Sequence, residues 1–249
     1  MSGHNKWSTI KRKKGALDAK RSKIFSKIIK EIMIAIKEGG PEPDNNPRLR
    51  LAIQNAKGVN MPKDNIQRAI NKAKDSSALN EVSFEGYAPN GVAIFIECLT
   101  DNNQRTVSAI RSTFSKRGGN LGVNGSLSFL FDRKGVITIP KGDIDLEDFE
   151  LQVIDAGVED IDVDEDAIVL TTSMEDFTKV QKKLEEMKIE PENAELRRIP
   201  NDLKKLDPAA GVKVLKLVDE FEDNDDVQNV YHNLDISDEI IKLYEIEEQ

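Results

Sequence analysis

Residues 135–199, GVITIPKGDIDLEDFELQVIDAGVEDIDVDEDAIVLTTSMEDFTKVQKKLEEMKIEPENAELRRI, decide the fold class. Val136–Ile139 reads as a strand and Leu146–Asp155 as a helix, while Val158–Val163 and Ala167–Thr171 form a strand pair. Ser173 and Asp176 have the spacing of a capping box and open a helix that runs to Lys188. Ala194–Ile199 closes the unit as a strand. The resulting order, β-α-β-β-α-β, is that of the ferredoxin-like split βαβ motif.

The flanks do not close by themselves. Upstream, Val82–Tyr87 and Val92–Leu99 read as strands joined through Pro89-Asn90-Gly91. Val107, Ile110 and Phe114 mark a helix ending at Gly118-Gly119, and Ser126–Phe131 reads as another strand. Downstream, Asp207-Pro208 starts a helix carrying Val212, Leu215 and Val218, and Val227–Leu234 reads as a strand. One helix and one strand cannot make a core, and 82–131 lacks a covering helix and an edge strand. The two pieces therefore belong together. The expectation is a discontinuous α+β domain, 82–131 plus 207–240, with an acidic ferredoxin-like domain, 134–204, inserted into it.

Residues 1–77 read as a basic helical domain. Ile24, Ile28, Ile32 and Ile36 recur every four residues with Phe25, Ile29 and Met33 beside them, a wide apolar stripe on one long helix. Gly39-Gly40-Pro41 stops that helix, and Asn46-Pro47 supplies an N-cap followed by proline at the first helical position. A short helix carries Leu49, Ala52, Ile53 and Ala56 to Gly58, and Pro62 opens a third with Ile66, Ala69, Ile70 and Ala73 on one face. Residues 75–80 are polar and read as a linker. The fold class expected is thus α+β: a three-helix N-terminal domain and two ferredoxin-like α/β sandwiches, one inserted into the other.

Charge divides the chain in the same place. Of 249 residues, 36 are Lys or Arg and 45 Asp or Glu, a net charge of −9. Residues 1–77 hold 18 bases and 7 acids, a net of +11, whereas the remainder nets −20. Such asymmetry points to a polyanion as partner of the basic part. The candidate contacts are an arm of Lys6, Lys11, Arg12, Lys13 and Lys14, then Lys20, Arg21 and Lys23 on the first helix. Arg48 and Arg50 add forked donors suited to phosphate oxygens or guanine edges, and Lys57, Lys63 and Arg68 extend the set. Trp7 either stacks on an unpaired base or anchors the arm to the helices, the anchor being the preferred reading. The acidic stretches, 143–195 with 19 acids against 4 bases and 217–249 with 12 against one, read as solvated faces that orient the molecule.

Other chemistry is argued down. There is no apolar run of transmembrane length and no secretory leader, so a cytoplasmic protein without membrane contact is expected. Cys98 is the single cysteine and His4 and His232 the only histidines, which leaves no His/Cys metal site and no nucleophilic triad. Asp162, Asp164 and Asp166 start like a calcium loop, but Ala167 and Ser173 stand where glycine and glutamate are needed. Gly118–Gly122 follows a helix and no Gly-Lys-Ser/Thr follows it, so it is not a phosphate loop of the Walker type. Residues 100–105 cap a helix. No enzymatic site, metal or cofactor is expected.

Several runs carry a resemblance. Gly3-His4-Asn5-Lys6-Trp7, Asp18-Ala19-Lys20-Arg21, Asn46-Pro47-Arg48-Leu49-Arg50 and Asn60-Met61-Pro62-Lys63-Asp64-Asn65-Ile66 are joined downstream by Gly118–Gly122 and Asp226-Val227-Gln228-Asn229-Val230-Tyr231-His232-Asn233. In this order they resemble the YebC/PmpR family, bacterial proteins described as transcriptional regulators, which includes a mitochondrial translational activator of a cytochrome oxidase subunit. Departures fall at Gly86–Gly91, at Asn103 where arginine is more frequent, and at Ser128-Phe129, where a small residue and tryptophan are common. The resemblance implies a three-domain α+β protein controlling gene expression by nucleic-acid binding in the cytoplasm, without a cofactor. It covers two roles: DNA-binding transcriptional regulation, and a ribosome-associated factor assisting translation through proline-rich stretches. The expected function is therefore a non-enzymatic regulator bound to DNA, with an rRNA- or ribosome-bound translation factor as the alternative and a protein-only acidic scaffold as a second. A protein partner for the acidic surface and a monomeric state complete the expectation.

Overall fold

The computed structural model describes residues 18–73 and 79–247. Lys6, Trp7, Lys11, Arg12, Lys13 and Lys14 lie outside them, as does most of the polar linker. The described residues form eight α-helices and eight strands, an α+β protein. In chain order these begin with α1 (Asp18–Gly39), α2 (Pro47–Gly58), α3 (Lys63–Ala73), β1 (Asn80–Tyr87), β2 (Ala93–Thr100), α4 (Asn103–Lys116) and β3 (Asn120–Leu121). They continue with β4 (Phe131–Pro140), α5 (Leu146–Asp155), β5 (Val158–Val163), β6 (Ala167–Thr172), α6 (Phe177–Glu186), β7 (Asn193–Pro200), α7 (Pro208–Glu222), β8 (Val227–His232) and α8 (Asp238–Glu247). Two compact units result: one from residues 18–30, 79–132 and 200–247, the other from 31–73 and 133–199. Residues 31–73 thus group with the acidic insert, and α1 contributes to both units.

The second unit has the sheet order β5-β6-β4-β7. Helix α5 connects β4 to β5 with β6 lying between them, and α6 connects β6 to β7 across β4, which is the split βαβ arrangement twice over. One side chain in two from β4 and β6 (Ile137, Ile139, Ile168, Leu170) meets Phe149 and Val153 of α5 and Val180 and Leu184 of α6 in one core. Leu51 of α2 packs against the same core. Asn55 fixes that docking: its amide donates to Ala194 O at 2.8 Å and accepts from Ala194 N at 2.9 Å, imitating a neighbouring strand. The aspartates at 162–166 lie on the β5–β6 hairpin, where Asp164 N donates to Ala167 O.

The first unit has the order β3-β1-β2-β8, all antiparallel. Strand β2 is apolar on both sides because both faces are covered. Ile94, Ile96 and Cys98 pack with Ile110 and Phe114 of α4 and the inner faces of α7 and α8, while Ala93 and Phe95 pack with Leu127, Phe131 and Tyr231. Two sequence expectations are corrected here. Ser126–Leu130 is not a strand: it is a loop and a short 3-10 turn, Phe131 instead opens β4, and the sheet's short edge strand is Asn120–Leu121. The cause is Glu85, buried on β1, whose carboxylate accepts from the backbone N–H groups of Gly125 and Leu127 and so withholds Leu127 N–H from a ladder. Helix α8 was not foreseen; Ile240, Ile241 and Tyr244 bury one face of it, with Ile240 against Gly211 of α7.

Candidate nucleic-acid interface

The turn from α1 into α2 sets the outward direction of the basic side chains. Asn46, 3% exposed, accepts from Leu49 N at 3.0 Å and donates to Ala35 O at 2.7 Å and Gly40 O at 2.8 Å, so it caps one helix while tying down the end of the other. Pro47 takes the first helical position, where no N–H is needed. Leu49, Ala52 and Ala56 then face inward, which leaves Arg50 and Lys57, seven positions or about two turns apart, on the outward face. On α3, Ile66, Ala69 and Ala73 are buried, and Lys63 and Arg68 are exposed. Lys72 joins Arg68 one turn on; the sequence reading missed it, although the i, i+4 spacing was its signal. Between residues 45 and 73 there are six bases and one acid, Asp64. Lys57, Lys63, Arg68 and Lys72 make no ion pair among the described residues, and Arg50 reaches only the carbonyl of Asp44 at 3.4 Å.

Other expected contacts are committed elsewhere. Arg48 spends its fork on the protein itself, with Nε donating to Glu31 and a terminal nitrogen to Glu38, each at 2.7 Å. Lys23 pairs with Asp223 at 2.5 Å. Arg21 lies 5.5 Å above the ring of Phe25. Lys20 sits on α1, with its side chain outside the described residues.

Lys23, Lys27 and Lys30 share one side of α1, and all three reach the segment 223–228. Lys27 donates to Gln228 O at 3.2 Å, and Lys30 donates to Asp225 O at 2.7 Å, Leu99 O at 3.2 Å and the Asp226 carboxylate at 3.2 Å. Asp226, 6% exposed, gathers a second set: Arg105 at 2.8 Å, Thr106 Oγ1 at 2.9 Å and Thr100 Oγ1 at 3.2 Å. Burial pushes this carboxyl upward, but the donors from Arg105, Thr106 and Lys30 outweigh burial and hold it below its usual value. The run Thr100–Thr106 is therefore occupied in joining β2, α4, β8 and α1. Asn102, in its middle, caps α4 by accepting from Arg105 N at 3.1 Å.

The remaining reactive side chains are structural. Buried His232 accepts from Leu234 N through Nδ1 at 3.3 Å. Cys98 is 2% exposed, and burial, helped by nearby Asp226, pushes its thiol up to about 12. Alkylation of the native protein by iodoacetamide at pH 8 is expected to be negligible and to appear only with denaturant; fast labelling of the folded chain would show the core around Cys98 open. A groove of about 440 Å³ beside β1 is lined by Ser83, Phe84, Asn103, Val107, Leu121 and Asn124 among others. Among the described residues no group of three or more His, Cys, Asp or Glu is arranged to hold a metal, and no helix is long and apolar enough to cross a membrane.

Comparison with known proteins bears on this geometry. The family model of the TACO1/YebC N-terminal domain matches residues 5–76, and that of the TACO1/YebC second and third domains matches residues 79–234. The chain belongs to the TACO1/YebC family. Among relatives in the TACO1/YebC family, a "probable transcriptional regulatory protein" of Geotalea uraniireducens is 52% identical over 242 residues, covering 96% of this chain and 98% of that protein. One of the same name from Amoebophilus asiaticus is 51% identical over 239 residues, 94% of this chain and 98% of that protein. The crystal structure of a conserved hypothetical protein from Aquifex aeolicus superposes with a TM-score of 0.82 at 42% identity, covering 90% of this chain and 94% of that one.

Proposed function

We propose that this TACO1/YebC protein is a non-enzymatic regulator of gene expression that binds nucleic acid through the exposed bases of α2 and α3, together with the arm at Lys6 and Lys11–Lys14. The observation that carries the reading is the exposure of Arg50, Lys57, Lys63 and Arg68 in a stretch with a single acid, on a chain whose net charge is −9. Exposed, unpaired cations held close together repel one another, and a polyanion relieves that repulsion while clustered Lys and Arg release condensed counterions from its phosphates. The names of the relatives favour DNA and transcription as the setting. The ribosome-bound alternative draws on the same phosphates and is separated from it by crosslinking in cells: promoter fragments support the first, rRNA or tRNA the second.

The direct test is salt dependence. With six to ten phosphate contacts, affinity for duplex DNA is expected to fall roughly 10³- to 10⁵-fold between 50 and 200 mM salt. Replacing Arg50, Lys57, Lys63 and Arg68 together by Ala is expected to flatten the log–log slope by about 3 to 4, since each B-DNA phosphate contact contributes about 0.9. An unchanged slope would remove α2 and α3 from the interface.

A further inference from the structure

Strand β1 is paired along its whole length on one side only. β2 runs beside all of Asn80–Tyr87, whereas β3 faces only Gly86 and Tyr87 on the other side. The edge track is vacated after Gly122, whose N–H donates to Glu85 O at 2.7 Å. Beyond that point the Glu85 carboxylate takes the N–H groups of Gly125 and Leu127 and turns the chain aside. Burial changes at the same place: Glu85 and Gly86 are buried, while Val82, Ser83 and Phe84 are half-buried.

The register fixes which backbone groups face the open side. In an antiparallel pair, residues whose N–H and C=O point at the partner strand alternate with residues whose groups point away. Glu85 points away from β2, since its C=O meets Gly122. Leu99, the partner of Glu81, points away from β1, since its N–H donates to Asp226 O at 2.8 Å. Ser83, midway between Glu81 and Glu85 and paired with Glu97, has the same sense. Its N–H and C=O therefore open to the edge, and β3, the described strand on that side, stops short of them.

This edge is one wall of the groove of about 440 Å³. The start of α4 forms the other wall through Asn103 and Val107, and Leu121 lies at the β3 end. Val82, Phe84 and Leu121 rest on the buried core between the sheet and its helices, so the floor is apolar and already held in place. Among the described residues lining the groove, Glu81 and Glu85 are the only charged ones, and both are acids.

We infer that the groove takes an extended basic peptide of a partner protein as an additional strand, antiparallel to β1 on the track that β3 leaves. A donor and acceptor at one strand position beside an apolar trough are what a peptide with alternating side chains satisfies. Its N–H and C=O meet Ser83, and every second side chain enters beside Val82, Phe84 and Val107. A nucleic acid would instead bring phosphates to walls whose only charges are negative. A second copy of β1, paired antiparallel about Ser83, would set its Glu81 opposite Glu85, where Gly122 already lies and where like charges repel. Lysine or arginine suits the position opposite Glu81. None of these residues belongs to α2 or α3, so peptide binding and nucleic-acid binding can fail separately.

Fluorescence polarisation of the full-length protein with the acetylated hexapeptide Val-Thr-Val-Lys-Ser-Gly, labelled at its C-terminus, tests this. The valines are placed opposite Phe84 and Val82, the threonine opposite Ser83 and the lysine opposite Glu81. Saturable binding is expected. N-methylation of the threonine removes the N–H that donates to Ser83 O and should weaken binding roughly 5- to 150-fold, the span for leaving a hydrogen-bonding group unmet. Ser83→Pro should do the same and keep the ladder, because the N–H it deletes points away from β2. Glu81→Lys, at an exposed position, should reverse the preference for this peptide over its lysine-to-glutamate counterpart, which is expected to be roughly 1.5- to 5-fold. The N-methyl comparison is made on the wild type and decides the matter whether or not the proline variant folds. No saturable binding up to about 1 mM peptide, full affinity of the N-methyl peptide, unchanged affinity in a folded Ser83→Pro, or an unaltered preference in Glu81→Lys would each overturn the assignment. Displacement of the peptide by duplex DNA would give the groove to nucleic acid, and a wild-type dimer lost in Ser83→Pro would give it to a second copy; either overturns it as well.

Discussion

Asp226→Ala is expected to destabilise the unit built from 18–30, 79–132 and 200–247 by about 3 to 5 kcal/mol, the range for removing one partner from a buried charged network. The carboxylate is the only charged acceptor common to Lys30, Arg105, Thr100 and Thr106 in that network. Its removal leaves the Thr100 hydroxyl, at 0% exposure, without its carboxylate acceptor, Thr106 Oγ1 with only Asn102 O and Thr100 Oγ1, and Lys30 with carbonyl partners only. Arg105 is half exposed and retains Asp101, so its own loss is small, and most of the effect comes from the buried donors. The pH dependence follows from the direction of the shift. A carboxyl held below its ordinary value in the folded state stabilises fully above its unfolded value of about 4. That contribution disappears as pH falls through the folded value. The wild type should therefore lose stability on acidification below about pH 4, and Asp226→Asn should already lack that increment at pH 7 and show a flatter acid limb. Urea midpoints from pH 7 downward check this; parallel curves for the two proteins would mean that Asp226 is not the titrating tie.

The same network shows where sequence reasoning reaches its limit. Lys23, Lys27 and Lys30 have the periodicity of a solvated basic face, and on sequence alone Lys23 reads as a phosphate contact. Their acceptors lie about 200 residues away, on the 223–228 segment, and no local pattern announces such a pairing. Arg48 fails for a related reason. Within Asn46–Arg50 it looks equivalent to Arg50, but the capped turn at Asn46 carries it back toward Glu31 and Glu38 on α1 and leaves Arg50 outside.

Local signals read correctly where the chemistry is local. Asn46-Pro47 and Asp207-Pro208 each announce a helix, and each side chain does accept from the N–H three residues on, at 3.0 Å. The inserted unit was legible because its strands and helices differ in apolar period and are punctuated by Gly157 and the hairpin at 164–166. The discontinuous sheet was legible only as a deficit, two incomplete halves needing each other. Its short edge strand was misplaced because the decisive residue, Glu85, acts through its side chain on backbone 40 positions away.

Gly58→Ala is expected to cost about 3 kcal/mol or more, because the α2–β7 junction has no room for a methyl group. A Cβ at Gly58 would lie 1.9 Å from Glu192 O and 2.7 Å from Glu192 C, and both are backbone atoms. Glu192 cannot retreat easily, since its N–H donates to Thr138 O at 2.8 Å in the sheet. Helix α2 must therefore move. Moving it stretches both Asn55–Ala194 hydrogen bonds and withdraws Leu51 from the core it touches. Overpacking of this kind costs about 1 to 3 kcal/mol, and two hydrogen bonds add about 1 kcal/mol each. At about 2 to 4 °C per kcal/mol for a chain of this size, the midpoint should fall by roughly 10 °C. A double-mutant cycle identifies the cause. Asn55→Ala alone should destabilise by about 2 kcal/mol, yet add little in the Gly58→Ala background, where its bonds are already broken. Strict additivity would show that α2 stays seated and that the strain is absorbed elsewhere. Because α2 also carries Arg50 and Lys57, a displaced helix should weaken duplex DNA binding as well, so the packing of one glycine against a strand's backbone would set the aim of the cationic face.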